Sequence, residues 1–325
     1  MSLPAISLGA GSSTVLAFDV GGTYIKAGVV GPSGRLQAFC RVPTPLDKAR
    51  PAEAVLDRIA ALARDFRSEL PESRIEAAGV IVPGIVDPGT GTAVYSANLG
   101  WRNYPFAEEA ERRLGIPVAF GHDVAAAGDA EVRLGGAKDF RDVLVIVIGT
   151  GIAAAVFCEG KRVTAGGYAG EIGQALVPAG SLTGTATLES VASAAAIARR
   201  YAAQAGHQVD GAREVADRAL QGDAVARRVW GDAVDALAFS IAQCANILGT
   251  EAFIIGGGLS QAGDALLVPL RERLDRLLGS ARRPHILCAR LGQDAGFIGA
   301  ALNARELLLN RPARLSPESA PSGTA

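Results

Sequence analysis

The chain has 325 residues, with 32 Lys and Arg against 33 Asp and Glu and a formal net charge of −1. Near-neutrality with scattered rather than clustered basic residues gives no electrostatic footprint for nucleic acid or a membrane surface, and points to a small-molecule partner. The length exceeds the roughly 250–300 residues that one core usually organises, so two lobes are expected.

Residues 1–13 carry no signal-peptide pattern and read as a flexible lead outside the fold. From Val15 to Val30 an apolar run reaches Asp19, turns at Gly21-Gly22-Thr23 and leaves through Ala27, Val29 and Val30, the pattern of a β-hairpin. Gly21 and Gly22 are free to take positive φ and admit an anion to the backbone N–H groups. Thr23 adds a hydroxyl and Asp19 a carboxylate suited to hydrated Mg²⁺. An ordinary glycine hairpin fits the same residues, so the motif alone does not decide.

A turn at Gly31–Gly34 precedes a third strand over Leu36–Val42. Val55, Ile59, Leu62 and Phe66 then mark an amphipathic helix over Ala52–Phe66, the start of an α/β fold. Ala77–Val82 reads as a buried strand broken by Pro83-Gly84, followed by Asp87 and the polar loop Ser96–Trp101. Another short strand spans Ile116–Phe120, and Gly121-His122-Asp123 stands before an alanine-rich helix reaching Arg133. Asp123 therefore lies at a helix N-terminus, where a cap is the bland role.

Val143–Phe157 repeats the opening pattern, an apolar strand, a Gly149-Thr150-Gly151 tip and a second apolar strand. Two such hairpins look like an internal duplication, and two glycine tips on facing lobes can hold a polyphosphate between them. Gly170-Glu171-Ile172-Gly173 is a glycine-dense loop with one carboxylate. Thr187–Tyr201 reads as one helix with Glu189 in its first turn, where an acid also suits the helix dipole. Asp223–Leu248 is a long helix with a small, apolar face. A strand over Ala252–Ile255 runs into Gly256-Gly257-Gly258, a tip able to accept a purine face or a ribose edge. A strand over Ile286–Ala289, a final helix over Gly296–Leu309 and a disordered tail complete the chain.

Ala236–Leu259 has the length of a membrane span and Glu251 as its one charge, but Gln243, Asn246 and the three glycines divide it into a buried helix and a strand. Cys40, Cys158, Cys244 and Cys288 are widely separated and fit free thiols in a reducing cytoplasm.

Taken in order, Asp19 to Thr23, Pro83-Gly84, Asn98 to Trp101, Asp123 before its helix, Gly149 to Gly151, Gly170 to Gly173, Glu189 and Gly256 to Gly258 resemble the ROK family of sugar kinases and repressors, from Val15 to about Leu309. The resemblance implies a two-lobe actin-like, ribonuclease-H-like α/β fold with an interlobe cleft. It implies a small lobe of residues 14–120 plus 297–312, a large lobe of 121–296, and flexible tails at 1–13 and 313–325. About a dozen residues precede the first strand, too few for the helix-turn-helix of repressor members, which favours the kinase branch.

The activity implied is ATP- and Mg²⁺-dependent phosphorylation of a hexose or hexose derivative at a primary hydroxyl, as in glucokinases, by a cytoplasmic homodimer. Asp123 would be the general base. Gly21, Gly22, Thr23, Lys26, Gly149, Thr150 and Gly151 would face the phosphates with Asp19 near the metal, and Gly256 and Gly257 would line the adenosine pocket. Asn98, His122, Asp123, Glu171, Gln174 and Glu189 would bind the sugar. Members usually also carry a zinc on one His and three Cys, but those positions hold Gln174, Gly180, Leu182 and Thr187, so no structural zinc is expected. His122 stands where the family pattern has Asn. These departures leave open an N-acyl amino-sugar kinase, a polyphosphate-using kinase, or a sugar-binding sensor without catalysis.

Overall fold

A computed structural model describes residue 8 and residues 13–180 and 184–310. The elements follow one another as β1 (Thr14–Val20), β2 (Tyr24–Val30), β3 (Leu36–Pro43), α1 (Pro51–Glu69), β4 (Ile75–Val82), β5 (Ile85–Asp87), β6 (Thr92–Tyr95), β7 (Arg102–Tyr104), α2 (Phe106–Leu114), β8 (Val118–His122) and α3 (Asp123–Leu134). The second half holds β9 (Val143–Ile148), β10 (Ile152–Cys158), β11 (Lys161–Arg162), β12 (Leu176–Pro178), β13 (Thr185–Thr187), α4 (Leu188–Ala192), α5 (Ala194–Ala205), α6 (Ala212–Leu220), α7 (Ala224–Leu248), β14 (Ala252–Gly256), α8 (Asp264–Leu278), β15 (His285–Cys288) and α9 (Ala295–Asn310).

Two five-stranded sheets carry the architecture, ordered β3-β2-β1-β4-β8 and β11-β10-β9-β14-β15. In each, the first three strands are an antiparallel meander, and the fourth and fifth join parallel to the first. The matching order is the physical form of the duplication read from the two hairpins. Parallel pairing needs crossover connections, and burial of both sheet faces explains strands such as VLVIVI that are apolar without alternation.

The first sheet buries Leu16, Phe18, Val80 and Val82 against α1 and α2, while Val15, Ala17 and Ile81 on its other face meet α9. The second sheet's main core joins Leu144, Ile146, Phe253 and Ile255 to α7 and α8. Between the sheets lie α3 and α9, packed on each other. A Cβ at Gly299 would collide with the Ala126 carbonyl, and one at Gly79 with the Ala300 carbonyl, so these glycines set the spacing of helix on helix and helix on sheet.

Several elements depart from the sequence reading. The predicted helix over 187–201 is two helices broken at Ser193, whose backbone is extended and whose Oγ accepts from the Ala196 N–H at 3.1 Å. Ser96–Trp101 is a loop as read, but the residues flanking it, unassigned from the sequence, form the small sheet β5-β6-β7. Helices α2 and α6 were not foreseen. Residues 1–13 were expected to lie outside the fold, yet Leu8 is buried and its N–H donates to the Gly34 carbonyl. Residues 1–7 and 9–12, the tail from 311 onward and Leu182 fall outside the described residues. Among the described residues no helix is long and apolar enough to cross a membrane.

Candidate active site

The first glycine tip is braced from outside. The Thr44 hydroxyl donates to the Gly21 carbonyl at 2.7 Å and the Thr44 N–H to the Thr23 carbonyl at 2.9 Å, while Gly21 N–H closes the turn on Tyr24 at 2.9 Å. Neither Gly21 nor Gly22 uses a positive φ. The lack of a side chain matters for approach instead, since a Cβ on Gly21 would press on the Tyr24 carbonyl at 3.1 Å and one on Gly22 would reach the Asn98 side chain at 4.0 Å. Gly22, Thr23 and Asn98 are exposed together.

Asp19 and Lys26 pair across β1 and β2, with Nζ 3.9 Å from Oδ2. Lys26 also reaches Asp294 at 3.4 Å and donates to the Gln293 carbonyl, joining the hairpin to the loop before α9. Burial drives the Asp19 carboxyl up to about 6, against the pull of Lys26 and with the repulsion of Asp123 and Asp294 added.

The second tip is held similarly. Gly149 N–H donates to the Gly151 carbonyl and its own carbonyl accepts from Ala194 N–H, both at 2.9 Å. Glu189 Oε2 accepts from the Ile152 N–H at 2.9 Å, and a Cβ on Gly151 would meet that carboxylate at 2.6 Å. Thr150 is exposed at the tip. At the third glycine run only Gly257 needs its freedom, with φ of 77° and no room for a Cβ against the Ile148 carbonyl.

These parts converge. One cleft between the sheets is lined by Asp19, Asp123, Gly256, Gly257, Gly292 and Gln293. Asp123 is the first residue of α3 and not its cap. Its Oδ1 accepts from Val124 N–H at 2.7 Å and lies 3.1 Å from His122 Nε2. The half-buried Glu171 has its carboxyl raised by desolvation. The His122 ring opposes that shift, and Glu189 and Asp123 add to it. His122, Asp123, Glu171 and Glu189 thus form one electrostatic group. The Gln174 side chain is exposed and makes no hydrogen bond among the described residues; its N–H donates to the Glu171 carbonyl.

Sequence reasoning missed Thr44, Gln293 and Asp294. The acid between glycines in Gly292-Gln293-Asp294-Ala295-Gly296, before the last helix, was the available signal. Among the described residues no group of three or more His, Cys, Asp and Glu side chains is arranged to hold a metal.

Twin sheets with glycine tips, and a helix-borne aspartate facing the cleft between them, define the two-lobe actin-like architecture of sugar kinases. The chain belongs to the ROK family, whose model matches residues 15–306. It is 33% identical over 317 residues to the glucokinase of Streptomyces coelicolor, covering 90% of this chain and 97% of that protein. Among solved structures, the ROK hexokinase of Thermus thermophilus superposes with a TM-score of 0.79 at 30% identity, over 92% of this chain and all of that one. The ROK-family glucokinase of Streptomyces griseus, in complex with glucose and AMPPNP, gives 0.75 at 30% identity, over 90% of this chain and all of that one.

Proposed function

We propose that this protein transfers the γ-phosphoryl group of ATP to a primary hydroxyl of a hexose or hexose derivative. The observation that carries the reading is the convergence of Asp19, Asp123, Gly256 and Gly257 on one cleft, with Glu171 and Glu189 beside Asp123. Phosphoryl transfer asks mainly for positioning and for charge neutralisation. Backbone N–H groups at Gly22, Thr23, Thr150 and Gly151 supply donors to the phosphates, with Lys26 behind the first tip, while Gly21 and Gly149, whose own N–H groups close the two turns, face the phosphates without a side chain. Gly256 and Gly257 offer adenosine a wall free of side chains.

The donor set fits a divalent cation held through water. Asp19 is a carboxylate whose charge burial disfavours, with Asp123 and Asp294 adding to the negative potential and Lys26 at 3.9 Å as its cationic neighbour. Hydrated Mg²⁺ bound there supplies positive charge against the phosphates. Asp123 takes the proton of the attacking hydroxyl. Asn98, His122, Glu171, Gln174 and Glu189 surround the ring, the carboxylates accepting from adjacent hydroxyls. The lobes on this reading are 14–120 with 297–312, and 121–296. The molecule works without structural zinc, as a cytoplasmic homodimer.

The test is ADP release in a coupled assay across hexoses, amino sugars and polyols, with ATP and Mg²⁺. Turnover on at least one hexose is expected, and no turnover on any of them at millimolar concentration would overturn the proposal.

A further inference from the structure

We propose that Glu131 is a positioning residue for the nucleotide side of the cleft, tying the helix that carries Asp123 to the segment 291–296, which in turn holds Lys26. The inference rests on the cleft being that of a kinase. Glu131 is 1% exposed and lies about two turns beyond Asp123 on α3, and both residues line the cleft. Its two oxygens are used separately. Oε1 accepts from the Leu291 N–H at 2.8 Å and Oε2 from the Gly136 N–H at 2.7 Å. Among the described residues these two backbone groups are its side-chain hydrogen-bond partners, so a carboxylate withdrawn from water depends on them, and they on it.

Two glycines leave room for this arrangement. A Cβ on Gly135 would lie 2.0 Å from Oε2, and one on Gly136 would lie 3.3 Å from the Cys288 carbonyl. From Leu291 the chain runs straight to the first hairpin. The Gln293 carbonyl accepts from Lys26, Asp294 pairs with Lys26 at 3.4 Å, and a Cβ on Gly296 would press on Asp19 Oδ2 at 3.2 Å. Lys26 itself stands 3.9 Å from Asp19. A continuous path of contacts thus joins α3, through Glu131 and residues 291–296, to the Asp19–Lys26 pair. Phosphoryl transfer requires the phosphate side and the base to keep a fixed separation, and Glu131 sets it.

Two measurements test this, and neither needs turnover. Glu131→Gln keeps the shape of the side chain but turns one acceptor into an amide donor, so one of the two N–H groups loses its partner. Calorimetry with the non-hydrolysable ATP analogue AMPPNP and Mg²⁺ should find the Kd raised by about five- to tenfold, the scale of one lost buried hydrogen bond. Lys26→Met should raise the same Kd. Adding Glu131→Gln to Lys26→Met should raise it little further, because Glu131 acts through Lys26. Fully additive effects make Glu131 a structural residue only and overturn the proposal.

The second measurement is amide hydrogen exchange without nucleotide. In the wild type the Leu291 and Gly136 N–H groups should be protected as strongly as the middle of α3. In Glu131→Gln protection should fall across 291–296 while β14 keeps its own. Fast exchange at Leu291 in the wild type overturns the proposal, including in the case where Glu131→Gln does not fold. Wild type that binds no AMPPNP fails the kinase reading, and the proposal with it. Wild type and Glu131→Gln binding AMPPNP equally well fail the proposal alone.

Discussion

Glu189 Oε2 and the Ile152 N–H are hydrogen-bonded at 2.9 Å, so a residue expected to read the sugar also holds the strand that leaves the second glycine tip. Glu189→Ala strands a buried N–H, which costs about 1–3 kcal/mol. It should raise KM for ATP as well as for the sugar. Glu189→Gln keeps an acceptor for Ile152, and should restore the nucleotide KM while leaving the sugar KM high. Steady-state kinetics with each substrate varied in turn checks the separation.

Asp123→Asn keeps shape and hydrogen-bonding capacity but removes the proton acceptor. Turnover should fall by roughly 10²–10⁴-fold. Calorimetry should find sugar affinity within a few-fold of the wild type, which separates loss of the base from loss of the site.

Glu251 sits far from the cleft and reports on acid stability. Its Oε2 accepts from the N–H groups of Arg141 and Asp142 at 2.8 and 3.3 Å and its Oε1 from Arg282 at 3.0 Å, which hold the carboxyl down at about 2 from an ordinary 4.5. A depressed carboxyl stabilises the folded state fully above 4.5, and the contribution is lost as pH falls toward 2. Urea midpoints of wild type and Glu251→Gln should therefore differ most above pH 4.5 and converge toward pH 2.

Gly79→Ala places a methyl against the Ala300 carbonyl, a backbone atom that moves only with the helix. Destabilisation of about 1–3 kcal/mol or more is expected. Gly160→Ala, where a Cβ meets no atom within 4 Å, controls for open space, although its φ of 76° adds some strain of its own. Denaturant unfolding of both variants gives the comparison.

The hairpins and their tips were legible because strand patterning and glycine punctuation are local. The same locality hid other parts. Lys26 meets Asp294 across 268 positions, and no window of sequence contains both. Ser193 lies within an alanine-rich helical run, where its capping hydroxyl competes with an unbroken periodicity, and the cap wins. Helix α2 was within reach, since Phe106, Ala110 and Leu114 recur at four-residue spacing. The strands of β5-β6-β7 are three or four residues long and mixed in polarity, too short for alternation to register. At the site, residue types pointed to carboxylates around a sugar, but only the fold assigns one Glu189 oxygen to the backbone and leaves the Gln174 side chain exposed.

Helix α9 covers Val15, Ala17 and Ile81, yet about 200 residues separate it from β4 along the chain. A ribosome working at roughly 5–20 residues per second needs some tens of seconds to cross that interval. Throughout it, the emerging first sheet offers a greasy, uncovered flank to every other nascent chain nearby, a surface that the finished molecule never displays. Fidelity in the cell thus depends on whatever shelters that flank before the last helix arrives.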